Sequence, residues 1–219
     1  TKSGKTGKVQ VDFSTSITLD DILVSPKFQN QYGQGRYDSG TDQLIYDIST
    51  GISWGPELDG SQRTRFDGVG TAAYSAADND FEDYYRLGYT IINSISVAQA
   101  LEKANYRFSY SYLDNESIQP GSGYDRHNFR LKGGVDISSK LKLSTKIDYI
   151  RSNALNRPEL TDSQANSVKN LALRPRNISN SLLNDNYLND NGGPNNWNGA
   201  FIQNPYYVAN TRINSDKKD

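Results

Sequence analysis

Between Tyr85 and Arg151 the chain alternates apolar and polar side chains with a period of two. The odd positions from Tyr85 carry Tyr85, Leu87, Tyr89, Ile91, Ile95 and Val97, and the even ones Arg86, Gly88, Thr90, Ser94 and Ser96, with Ile92 and Asn93 out of step. After residues 99–104 the alternation resumes, with Tyr106, Phe108, Tyr110 and Tyr112 against Arg107, Ser109 and Ser111. A third run sets Phe129, Leu131, Val135 and Ile137 against Asn128, Arg130, Lys132 and Asp136. A fourth sets Leu141, Leu143, Ile147 and Tyr149 against Lys142, Ser144, Lys146 and Asp148. One earlier run is of the same kind: Val9, Val11, Phe13, Ile17 and Leu19 against Lys8, Gln10, Asp12, Ser14, Ser16 and Thr18. This is the period of β-strands with one apolar face. It predicts five strands, over residues 8–19, 85–98, 105–113, 127–137 and 141–152, paired as an antiparallel meander.

Strands of soluble domains usually run about five or six residues, whereas a tilted strand needs roughly 9–11 to cross a bilayer. A barrel wall that meets lipid outside and water inside shows the same alternation, with aromatic girdles at both interfaces. The long runs and their aromatic-rich face therefore predict an all-β fold, a partial antiparallel transmembrane β-barrel with long extracellular loops. The connections agree: a long loop over 20–83, a tight turn at 99–104, a medium loop over 114–126, a tight turn at 138–140 and a long loop over 154–219. No run of about 18 apolar residues exists, so a membrane helix is excluded. A secreted soluble β-sandwich binding module would alternate in the same way and is the alternative.

Composition narrows the chemistry. The 219 residues contain no Cys, which removes disulfides, cysteine nucleophiles and Cys-based zinc sites, and no Met, which predicts an internal piece or a processed product. Lys and Arg number 24 against 25 Asp and Glu, a balance that argues against nucleic acid as a partner. The opening Thr1-Lys2-Ser3-Gly4-Lys5-Thr6-Gly7 fails the spacing of a phosphate loop and reads as a connector over 1–7. His127, the single histidine, lies near Ser122 and Asp125, but three residues at one strand end do not converge easily on a substrate atom. The acids Asp78, Asp80, Glu82 and Asp83, and those from Asp185 to Asp190, do not follow the EF-hand order. No catalytic residue, no metal site and no cofactor is expected.

Several strings resemble one family in order. Thr1-Lys2-Ser3-Gly4-Lys5 resembles the close of the plug domain in SusC/RagA-type TonB-dependent outer-membrane transporters, and Gly7-Lys8-Val9-Gln10-Val11-Asp12-Phe13 their first barrel strand. Gln29-Asn30-Gln31-Tyr32-Gly33-Gln34-Gly35 and Ser53-Trp54-Gly55-Pro56-Glu57-Leu58-Asp59-Gly60 resemble their first large loop, the second being the most specific string. Asp125-Arg126-His127-Asn128-Phe129-Arg130-Leu131, Asn156-Arg157-Pro158 and Asn204-Pro205-Tyr206-Tyr207 continue it. The resemblance covers nearly the whole chain but only the early barrel of such a transporter. The plug body, the TonB-interacting segment and most of the barrel lie outside it.

What the resemblance implies is a segment of an importer of a large nutrient, glycan or peptide, in the bacterial outer membrane. Its partners would be a SusD-like lipoprotein, the remainder of the transporter (plug and other barrel strands), TonB through the missing part, and outer-membrane lipid. Tyr32, Trp54, Asp59, Trp197 and Tyr206 are the candidate ligand- or partner-contacting loop residues; an exposed indole can stack on a sugar or anchor an interface. Arg86, Arg107, Arg130 and Lys132 are expected to face the lumen. With Lys8, Lys142 and Lys146 they outnumber Asp12, Asp136 and Asp148 on the polar face. Pairing with cross-strand and plug carboxylates is the expected use of these cations, selection of an anionic substrate the alternative.

Overall fold

The computed structural model describes residues 7–77, 81–197 and 201–218. Most of the 1–7 connector, Asp78 and Asp80 of the acidic cluster, and the tail residue Asn198 lie outside the described residues. In chain order the strands are β1 (Gln10–Asp20), β2 (Arg36–Asp38), β3 (Gln43–Ile45), β4 (Gln62–Thr64) and β5 (Thr71–Ala73). There follow β6 (Gly88–Ala100), β7 (Ala104–Glu116), β8 (Gly123–Ser138), β9 (Leu141–Leu155) and β10 (Ser215–Lys218). Three short helices, α1 (Ser167–Leu173), α2 (Asn180–Asp185) and α3 (Pro205–Thr211), precede β10.

The fold is all-β, built on one antiparallel sheet in the order β1-β6-β7-β8-β9-β10, and the sheet does not close on itself. Its tight turns, at Leu101–Lys103 and Ser139–Lys140, lie at one end, and the long connections gather at the other. Register puts like with like. Val11, Val97, Phe108, Leu131 and Ile147 form one cross-strand row, and Phe13, Ile95, Tyr110, Phe129 and Tyr149 the next. The opposite face carries Ser14, Ser94, Ser111 and Asn128 in one row and Asp12, Ser96, Ser109, Arg130 and Asp148 in another.

Among the described residues nothing covers the apolar face. Phe13 is 69% exposed, Ile17 66%, Leu143 58% and Ile147 57%, and the other two sheets are the hairpins β2–β3 and β4–β5. A sandwich would bury this face beneath a second sheet. The buried apolar side chains lie instead in the connections. One cluster joins Phe66, Ile178, Leu183, Trp197 and Ile202, and a second joins Phe81, Tyr84 and Leu171. The helices that supply them start where their caps dictate. Asn166, Ser179 and Asn204 each accept a backbone N–H of the first turn, from Lys169, Leu182 and Tyr206 respectively.

The sheet has six strands where the hydrophobic pattern predicts five. The sixth falls inside the 154–219 stretch read as one long loop, because Ser215-Asp216-Lys217-Lys218 is short and wholly polar and so has no apolar period. In the 20–83 stretch, three-residue hairpin strands are likewise too short to show a period. Tyr85, counted with the aromatic face, precedes β6 and packs on Phe81 at 5.7 Å and Tyr84 at 5.3 Å, in the loop core. Strands β7 and β8 also extend beyond their apolar runs, to Glu116 and back to Gly123, where Asp114, Glu116 and Asp125 stand on the apolar parity.

Candidate functional site

Two long connections, 21–87 and 156–214, fold together at one end of the sheet, and a close crossing of two glycines shapes the first of them. Gly35 and Gly55 cross backbone to backbone: a Cβ on Gly35 would lie 2.6 Å from the Gly55 Cα and 2.2 Å from the Ile45 carbonyl oxygen. Around this crossing Tyr32 bridges Glu57, and Gly35 bridges Ser53. Gln34 is wholly buried; its side-chain amide donates to the carbonyls of Ile48 and Thr50 at 3.2 and 2.8 Å, and its backbone N–H donates to Asn177 Oδ1 at 2.6 Å. Tyr74 Oη donates to the Gln34 and Pro56 carbonyls at 2.9 and 3.1 Å. Burial pushes its phenol up to about 12 against the pull of the Arg63 guanidinium.

The five loop candidates meet different fates. Trp54 projects from the crossing at 62% exposure, with the Tyr32 ring 6.3 Å away, so these two form a single aromatic corner. Asp59 is exposed but occupied: it accepts from the Ser61 hydroxyl at 2.6 Å, the Ser61 N–H at 2.9 Å and Arg63 Nη2 at 3.0 Å. Tyr206 is half-buried, edge-on to Tyr84 at 5.3 Å, and touches both core clusters. Trp197, a candidate contact residue in the sequence, is 1% exposed among Phe66, Ile178, Leu183 and Ile202, so its indole packs in the loop core. Only the Tyr32 and Trp54 corner remains as an open aromatic surface among the five.

The acids of this region fix a pH window. The Ser61 hydroxyl and N–H, with Arg63, hold Asp59 down at about 2, and the Ser49 hydroxyl, Arg36 and the Ser49 N–H hold Asp47 at about 2. A carboxylate depressed in the folded state favours folding above its unfolded pKa and loses that contribution as pH falls through the folded one. The hairpin loops are therefore expected to resist protease down to about pH 4 and to loosen between about pH 4 and 2. Limited proteolysis across that range checks this; loops that open above pH 5, or stay closed at pH 2, contradict it.

The residues that tie the two connections together gave no signal in the pattern. Arg176 is 4% exposed; its Nη2 donates to the Ala77 carbonyl at 2.7 Å, its guanidinium reaches Asn30 Oδ1 at 3.3 Å and lies 4.7 Å from the Phe28 ring centre, and its N–H donates to Ser53 Oγ at 2.9 Å. Within the second connection, Asn170 donates to the Gln164 and Gln203 carbonyls, and Asn204 to the Leu183 carbonyl. The hydrogen bonds these side chains donate offset much of the cost of burying them.

On the polar face, the sheet's own acids take up most of the cations. Arg107 reaches Asp12 at 4.0 Å and donates to Ser96 Oγ at 2.8 Å; Arg130 and Lys146 share Asp148, and Lys142 meets Asp136 at 2.9 Å. Arg86 stands apart from them. It precedes β6 and clamps the β7–β8 connection, pairing with Glu116 at 2.7 Å and donating to the Ser117 and Ser122 carbonyls. Lys132 stands in register between Arg107 and Lys146. A hollow of about 340 Å³ opens on this face, lined by Asp12, Ser14, Ser96, Arg107, Ser111 and Asn128 among others.

Ser122, Asp125 and His127 do not form a relay. The Ser122 hydroxyl donates to the Asn156 carbonyl at 2.8 Å, Asp125 accepts from Asn153 at 3.1 Å, and His127 Nδ1 hydrogen-bonds with Tyr110 Oη at 2.8 Å. Among the described residues no three His, Asp or Glu side chains group to hold a metal, and no helix is long and apolar enough to cross a membrane.

No family model and no curated protein matches this sequence. Its fold is similar to that of a chain in a solved structure of the RagAB peptide importer in its closed-closed state, with a TM-score of 0.53 and 17% sequence identity. The match covers 94% of this chain and 25% of that one, so the likeness concerns the fold of a quarter of a larger protein.

Proposed function

We propose that the chain is wall and loop assembly of a TonB-dependent outer-membrane transporter of the SusC/RagA kind, importing a peptide or glycan with a SusD-like surface lipoprotein. The observation that carries this reading is the way the bare apolar band slides across the sheet. On β1 and the Val9 just before it, the outward apolar residues run from Val9 to Leu19, centred near Ser14, which stands in register with Ile150 of β9. On β9 the band runs from Leu141 to Tyr149 and centres on Thr145. A slide of about five residues, roughly 17 Å, over four interstrand steps of about 4.8 Å corresponds to a tilt of about 40° between the strands and the normal of a flat apolar slab. Strands of outer-membrane barrels tilt by about 35–45°. The soluble sandwich has no such requirement, and it leaves the exposed band without a role.

In this reading the tight turns face the periplasm and the two packed connections face outward, with the Tyr32 and Trp54 corner offered to ligand or lipoprotein. No bond-breaking step is assigned to any residue. Both edges of the sheet, at β1 and β10, are open here, and unpaired backbone groups in lipid cost several kcal/mol each, so the barrel closes with further strands. The test is fractionation of the full-length protein. It should leave the membrane only in detergent and should migrate faster on gels before boiling than after it. A monomer that stays soluble in plain buffer overturns the proposal.

A further inference from the structure

Beyond the row of Tyr112 and His127, on the side of the long connections, the face that carries the apolar band turns polar. Asp114 stands opposite Asp125, and Asp125 opposite Asn153; in the next row Glu116 stands between Tyr89 and Gly123. Like charges directly opposite one another repel, so the Asp114 and Asp125 pairing calls for an occupant. A hollow of about 310 Å³ opens here, lined by Arg86, Tyr89, Asp114, Glu116, Asp125 and Asn153 among others.

Its chemistry is one-sided. Carboxylates only accept hydrogen bonds. The Asn153 amide donates to Asp125 at 3.1 Å, and its Oδ1 is buried with no hydrogen-bond partner. Arg86 is spent on Glu116 and on the Ser117 and Ser122 carbonyls. The hollow therefore offers mainly acceptors, and its ligand must bring donors. Charge and spacing narrow the choice. Arg86, Arg151 in the row of His127 and Lys217 beside Asn153 match the acids Asp114, Glu116 and Asp125 one for one, so the ligand need carry no charge. Among the described residues no three acids group to hold a metal. Asp114, Asp125 and Asn153 span two interstrand steps, about 10 Å, too far for the N–H groups of one ammonium but within reach of a ring that carries several hydroxyls. The Tyr89 ring offers a surface for the apolar C–H side of a sugar.

We infer that this hollow holds the sugar headgroup of an outer-leaflet glycolipid, whose hydroxyls donate to Asp114, Asp125 and Asn153. Position favours lipid as the source. The hollow shares its face with the exposed apolar band and begins two residues, about 7 Å, beyond the row of Tyr112 and His127, so acyl chains lying on the band carry their headgroup into it. The inference rests on the barrel reading above, which turns this face to lipid.

Native mass spectrometry of the full-length protein in mild detergent tests it, with a lipopolysaccharide that ends at its core sugars as the probe and phosphatidylethanolamine as the comparison. The protein is expected to hold the glycolipid roughly tenfold more tightly than the phospholipid, in EDTA as well as without it. Asp114→Ala with Asp125→Ala should abolish that preference and keep the heat-dependent gel mobility, while Asp136→Ala, on the opposite face, should change neither. Equal retention of the two lipids by the unaltered protein overturns the inference, and that comparison needs no variant to fold. A preference that survives the double substitution also overturns it, as does one that EDTA removes, which would mean a bridging cation. Equally tight binding of the core oligosaccharide freed of its acyl chains overturns it in favour of a dissolved sugar ligand. A protein that shows no heat-dependent mobility at all fails the barrel reading instead, so the two failures are distinguishable.

Discussion

On the proposed membrane-wall reading, Ile147→Arg is expected to keep the full-length protein from assembling in the outer membrane, while Ser144→Arg, three residues away, is tolerated. Ile147 sits near the middle of the apolar band at 57% exposure, in the row with Val11, Val97, Phe108 and Leu131. A cation on the lipid side near the midplane costs roughly 2–4 kcal/mol. Ser144 is on the opposite face, where Lys142 and Lys146 already stand on the same strand. The measurement is the fraction of protein that runs in the fast, unboiled form after membrane extraction. Equal loss in both variants would mean that both faces are buried, as in a sandwich; loss with Ser144→Arg alone would mean that the faces are reversed.

The two tryptophans should part company just as sharply. Trp197→Ala removes the largest side chain of the loop core and is expected to cost about 3–5 kcal/mol, as truncations of buried aromatic residues do. Its indole lies against Phe66 of the first connection and Ile178, Leu183 and Ile202 of the second, so the loss is felt by both at once. Trp54→Ala, at 62% exposure, should leave loop stability within about 0.5 kcal/mol and show itself only in binding. Protease resistance of the loops, followed in both variants alongside binding of the proposed peptide or lipoprotein, separates the effects. If Trp54→Ala unravels the loops and Trp197→Ala does not, the assignment of core and surface is wrong.

The wall was legible because a period of two, held for ten residues or more, has one physical cause. Register then follows from it, since a slip of one residue would turn every apolar side chain to the wrong face. Where the pattern misled, it did so at strand ends: Tyr85 keeps the alternation yet belongs to the loop core, and Arg86 keeps it yet clamps a turn. The loops were legible as loops but not as a packed unit. Their contacts join residues far apart in the chain, Arg176 with Ser53 and Asn30, Gln34 with Asn177, and no local period encodes such hydrogen bonds. The Gly35 and Gly55 crossing gives a physical reason for the glycines of the two loop strings. Trp54 and Trp197 looked alike in sequence because each stands among turn-forming residues; burial was decided by partners from elsewhere.

The unequal connections also imply an order of assembly for the sheet. β6 to β9 are joined by short links and can zip as successive hairpins, each paying little loop-closure entropy. β1 must find β6 across residues 21–87, and the ends of that span approach each other cheaply only after the Gly35 and Gly55 crossing has compacted it. The compacted 21–87 connection is thus expected to favour the pairing of β1 with β6. A lesion at the crossing would surface as a kinetic fault at a distance: β6 left with a bare edge, recruiting other chains before its own first strand arrives.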